Sequence, residues 1–196
     1  MRTPELQLDW PMARALRAWF AAYEERLGDA PPFSVWLAGG MAVSLYCGSR
    51  VTGDIDAELS RRMIVPTDLL VHADLPDGGR KAVWFDVSYN PMFALLHKGY
   101  QVDAIRVPLD LRLADIFVLA PVDLAVSKLV RFSDIDKDDI HMLAQAGLIT
   151  SAALETRAAE AMAGYPGATN MLVYNVRDAV DIVKSVEEHD AAPPPP

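Results

Sequence analysis

With 196 residues, 52% of them apolar or aromatic, the chain is long enough to bury one core of ordinary size. Its 18 basic and 27 acidic side chains leave a formal net charge of −9. That excludes broad, non-specific nucleic-acid binding, which needs many Lys and Arg contacts to phosphate, but not a local basic pocket for one nucleotide or RNA end. A single cysteine, Cys47, allows no intrachain disulfide and no thiolate zinc cluster.

The N-terminal residues carry no signal-like apolar stretch, and no window approaches the roughly 18 to 20 apolar residues that cross a bilayer. A cytoplasmic protein with no membrane partner is expected. Asp9 can cap a helix and Pro11 suits its first turn; Leu16, Trp19, Phe20, Tyr23 and Leu27 follow at helical spacing, and Gly28 can end it. Residues 33–38 read as a buried strand, 40–47 as a short helix, and 51–59 as a second strand. In 61–80 the pattern is weaker: Pro66-Thr67-Asp68 can open a helix, and Asp77-Gly78-Gly79 marks a turn.

Residues 81–88 form a third predicted strand, 92–106 a helical stretch broken near Gly99, and 116–119 a fourth strand. After Pro121 everything is helical, with starts at Pro121, Asp136, Ser151 and about Met171. Mixed elements followed by a helical run predict an α+β fold: a small mixed sheet flanked by helices, with a C-terminal helical bundle. The expected division is a core over 1–120, a helical part over 121–190, and an extended proline-rich tail over 191–196.

The chemistry is concentrated in Gly39-Gly40 and Asp54-Ile55-Asp56. On a strand the two aspartates point to one face with α-carbons about 6.5 Å apart, while Ile55 faces the core. Like charges so placed repel unless a cation lies between them, and hard oxygen ligands select magnesium or manganese. Taken alone, Asp-x-Asp is more readily a pair of solvated acids at a strand edge or turn. The diglycine alters that reading: glycine lets backbone approach a phosphate, and the helix after it presents amide donors.

Asp86 lies within the alternating run 82–89, as a carboxylate aimed at a site or at a partner cation; Asp103 is its rival. Asp123 sits near a helix start, and Lys128 among apolar neighbours can reach a phosphate or simply snorkel. Asp136 and Asp139 share one face of the next helix, beyond Arg131. The four histidines show no metal-ligand spacing, and no Gly-x-Ser-x-Gly nucleophile motif is present.

Gly39-Gly40, Asp54-x-Asp56 and Asp86, in that order, resemble the nucleotidyltransferase superfamily with its polymerase-beta-like fold. The Arg50-x-Thr52-x-Asp54-x-Asp56 phrasing and the Asp123-to-Lys128 run look more narrowly like AbiEii-type toxins and the DUF6036 group, and Arg131 with Asp136 and Asp139 resembles that group's last motif. The resemblance implies transfer of a nucleoside monophosphate from a nucleoside triphosphate to an RNA (transfer RNA included) or protein acceptor. Asp54, Asp56 and Asp86 would hold Mg2+ or Mn2+, and Asp86 would also act as general base. Gly39, Gly40, Ser44, Arg50, Thr52, Asp123, Arg131, Asp136 and Asp139 would line the nucleotide, with Lys128 neutralising developing charge. A toxin role with an antitoxin partner follows from the same likeness. The alternatives are a module of this fold that binds nucleotide or protein without catalysis and, ranked lower, a glycosyltransferase that uses Asp-x-Asp.

Overall fold

The computed structural model describes residues 4–191. Apart from Ala191, the expected tail falls outside the described residues. The fold is α+β, with seven α-helices and two small mixed sheets among the described residues and a C-terminal run of helices. By their contacts these residues fall into two compact units: a sheet unit of 5–90 and 101–119, and a helical unit of 91–100 with 120 onward.

The sheet unit opens with α1 (Pro11–Leu27), where Pro11 takes the first-turn position that lacks an amide partner anyway. Its N-cap is Trp10, without a side-chain bond, so Asp9 is not the cap. Met12, Leu16, Trp19, Phe20 and Tyr23 are fully buried, and the Trp19 and Phe85 rings lie 5.3 Å apart. Each such burial is worth roughly 1.5–3 kcal/mol. Glu24 is buried too, and the backbone amides of Arg112, Leu113 and Ala114 donate to its carboxylate at 2.6–2.9 Å.

Strand β1 (Phe33–Leu37) leads through Ala38 into α2 (Gly39–Cys47). The stretch expected to be one strand over 51–59 is two: β2 (Asp54–Ile55) and β3 (Ala57–Leu59). They belong to different sheets, and Asp56 is the residue between them. Strands β4 (Val71–Asp74) and β5 (Arg80–Phe85) form a hairpin closed by the Asp77-Gly78-Gly79 turn. No helix starts at Pro66; instead the loop is pinned to α1, where Trp19 Nε1 donates to the Leu69 carbonyl and Tyr23 Oη to that of Ile64.

The helix expected over 92–106 is also corrected. The chain makes a short 3-10 turn at Pro91–Phe93, a one-turn α3 (Tyr100–Asp103) and then β6 (Ile105–Arg106), followed by β7 (Ala114–Val118). The first sheet has the order β3-β1-β7-β6, with β1 and β7 parallel and the outer pairs antiparallel. The second has the order β2-β5-β4, with β2 and β5 parallel.

In the helical unit, α4 (Pro121–Ser127), α5 (Asp134–Gln145), α6 (Ser151–Ala163) and α7 (Asn170–Ala191) pack on one another. Their starts are chemically marked: proline on α4, a Ser133–Asp136 capping box on α5, and Thr150 accepting the Ala153 amide on α6. Among the described residues no helix is long and apolar enough to cross a membrane.

Candidate functional site

In the sheet unit the diglycine and the Asp-x-Asp pair meet. Gly39 has φ +61, the left-handed region where a β-carbon is strained, and a β-carbon there would overlap the Asp56 carboxylate. Only glycine satisfies both demands. A β-carbon on Gly40 would lie 3.1 Å from Thr52 and 3.5 Å from the Arg50 guanidinium. Thr52 is buried and its Oγ1 donates to Asp54 Oδ1 at 2.5 Å. Asp56 therefore touches the bend directly, and Asp54 is tied to it through Thr52. Gly39 and Gly40 open α2, whose first amides have no carbonyl one turn back to bond, as at any helix start. Ser44 lies one turn further and is fully buried, so it sits inside the packing rather than on the surface of the bend.

The parallel register pairs Asp54 with Trp84 and Ile55 with Phe85; Ile55 and Phe85 face the core. The Asp86 amide donates to the Ile55 carbonyl at 3.0 Å, just past the end of that register. Asp86 stands just past the end of β5 rather than within it, and both the amide and the hydroxyl of Ser88 donate to its Oδ1, at 2.8 and 2.6 Å. Its rival Asp103 is exposed at the end of α3. Among the described residues no group of three or more His, Cys, Asp or Glu side chains could hold a metal ion. A hard cation at this face would rest on Asp54 and Asp56, with phosphate oxygens and water filling its shell. Magnesium, commonly held by one or two carboxylates plus substrate phosphates, suits that donor set.

Spacing gave no hint of Tyr89. Its phenol is held above its usual pKa range, first by burial and then by the charges of Asp56 and Glu58. Trp84 was also missed, because strand alternation marks it only as an outward residue.

The remaining expected residues lie in the helical unit, engaged with one another. Asp123 has no exposed surface and accepts two bonds from Arg157, both at 2.7 Å. Lys128, which follows α4, does not snorkel: its side chain is 5% exposed, with Nζ 2.6 Å from Asp139 Oδ2 and 3.8 Å from Asp136 Oδ1. Arg131 spans both Asp136 oxygens at 2.7 and 2.8 Å while its own side chain is 73% exposed.

Burial works against the charge on Asp136, but the hydrogen bonds from Arg131 and from the Ser133 hydroxyl and amide, with the Lys128 charge, outweigh it and lower its pKa to about 2. A depressed carboxyl stabilises the fold above its unfolded value of 3.8 and loses that effect as pH falls through about 2. Because solvent screens the exposed Arg131, the contribution is about 1–2 kcal/mol. Urea midpoints measured from pH 5 to pH 2 should fall on this limb for the wild type and fall less for Asp136→Asn.

A diglycine bend pressed on an Asp-x-Asp pair at the edge of a small mixed sheet is the arrangement of a nucleotidyltransferase-like domain. Residues 14–184 match the family described as a nucleotidyltransferase of unknown function (DUF6036), and the chain belongs to that family. No curated protein and no solved structure matches the sequence.

Proposed function

We propose that the chain is a magnesium-dependent nucleotidyltransferase that moves a nucleoside monophosphate from a nucleoside triphosphate to an RNA or protein acceptor, in the manner of a toxin controlled by an antitoxin. The single observation that supports this most is the close approach of the Asp56 carboxylate to Gly39. An amide-rich helix start attracts an anion, yet a carboxylate pressed on it repels one. A divalent cation held by the carboxylate would resolve the conflict.

In this reading Asp54 and Asp56 hold the cation, with Thr52 fixing the first carboxylate. When bound, magnesium neutralises charge on the triphosphate and orients it. The amides of Gly39 and Gly40 donate to phosphate oxygens, and Arg50 lies close enough to the bend to add a cation. Asp86, just past the end of β5, takes the proton of the acceptor hydroxyl as that oxygen bonds the α-phosphorus and pyrophosphate leaves. Within the helical unit Arg131 stays with Asp136 and Lys128 with Asp139. A second reading, nucleotide binding without transfer, draws on the Ser88 bonds that occupy Asp86 Oδ1.

The test incubates purified protein and magnesium with a cell extract and each of the four α-labelled triphosphates. Labelled RNA or protein is expected, with a loss of roughly 100-fold or more for Asp56→Ala. Full labelling by that variant would overturn the assignment. Tight calorimetric binding of triphosphate with no labelled product would favour the binding module.

A further inference from the structure

Trp84 is a large aromatic side chain on the same face as the carboxylates, and 41% of it is exposed. The register sets it directly across from Asp54. On its other side the β4–β5 pairing ends at Val71 opposite Val83, and Leu70, the residue just before Val71, is 48% exposed. An apolar strip thus borders the acidic edge. The indole is also held in place: a β-carbon on Gly53 would come within 2.6 Å of its Cη2 and Cζ3, so the glycine is what lets the six-membered ring lie against the backbone. The Trp84 amide donates to the Gly53 carbonyl at 2.8 Å, fixing the same contact from the main chain.

A flat, rigid, half-exposed π-face next to a triphosphate site fits a nucleobase. Stacking on an aromatic ring is tolerant of base identity, and a ring already fixed loses little entropy when the base lands on it. Leu70 extends the apolar surface under the far edge of such a base. We infer that Trp84 is the stacking platform for the base of the bound nucleoside triphosphate. This rests on the reading of the diglycine face as a triphosphate site, and it adds which part of the substrate lies where.

Calorimetry with two magnesium-loaded probes, each of the four nucleoside triphosphates and the base-less tripolyphosphate, separates the two ideas. For the wild type, the nucleoside triphosphates should bind more tightly than tripolyphosphate and quench tryptophan emission. Trp84→Ala should weaken nucleoside triphosphate binding roughly 10-fold and leave tripolyphosphate binding unchanged. Trp84→Phe should retain most of the affinity. Trp84→Leu, which keeps apolar cover over Gly53 but has no π-face, should behave like the alanine variant and serves if that one does not fold. Equal losses for both probes, or unchanged nucleotide affinity in the alanine and leucine variants, would overturn the inference while leaving the triphosphate site intact. Binding of the expected pattern without any labelled product would support the platform and remove the transferase. A wild type that binds neither probe would end both.

Discussion

Replacing Gly39 by alanine is expected to destabilise the protein by about 3 kcal/mol and to reduce the proposed nucleotide transfer at least as much as loss of Asp56. Two penalties combine at this position. The backbone is at φ +61, where a β-carbon costs about 1–2 kcal/mol. The same β-carbon would stand 2.7 Å from Asp56 Cγ and 2.9 Å from its Cβ, closer than real side chains approach, and overpacking of that kind adds typically about 1–3 kcal/mol. Relief by displacing Asp56 destroys the site, since a misplacement of about 1 Å can cost about 100-fold in rate. Gly40→Ala is the internal control. Its φ is not in the left-handed region, and its nearest neighbour, the Thr52 side chain, is 3.1 Å away, so the cost should stay below about 1 kcal/mol. Putting Gly39→Ala on an Asp56→Ala background removes the carboxyl from the collision, and the double-mutant cycle in urea should show a coupling of about 1–2 kcal/mol. Additive effects would mean that the two residues do not share the space described.

The contact behind that experiment was only half visible in the sequence. An apolar run ending in Gly-Gly predicts a strand, a bend and a helix, because glycine at a strand end has few other uses. It does not say which side chain fills the space left by the missing β-carbon. That is decided by the split of residues 51–59 into two strands in different sheets, and each piece is too short to carry a readable alternation. Strand β4 was lost for a related reason. The loop before it is ordered by Trp19 and Tyr23, which lie far back in the chain, so local pattern does not mark it. The C-terminal helices were legible as a run, with Pro121 and Ser151 at their expected starts; α5 begins at Asp134 rather than Asp136, because Ser133 and Asp136 form its capping box. Sequence also brought out Asp123, Lys128, Asp136 and Asp139 as notable, but not what they do with one another. The partner of Asp123 is Arg157, 34 residues away, and no spacing rule reaches across three helices.

That cluster sets up the second large effect. Lys128→Met is expected to cost about 3–5 kcal/mol, the usual penalty for removing one member of a buried ion pair. Asp139 is 1% exposed, and the Lys128 ammonium lies 2.6 Å from its Oδ2. Asp136 keeps Arg131 and Ser133 when the lysine is replaced. Against a total stability of about 5–15 kcal/mol, this is enough to bring unfolding close to working temperature. The intact pair itself need not be strongly stabilising, because desolvating two ions offsets most of their attraction. Lys128→Met combined with Asp139→Leu should therefore recover most of the urea midpoint that Lys128→Met alone loses. The same measurement decides between two roles for the lysine. A residue kept for the fold gives a variant that melts early and is rescued by its partner's removal. A residue that matters for activity and not for the fold gives a variant with the wild-type midpoint at neutral pH and no labelled product.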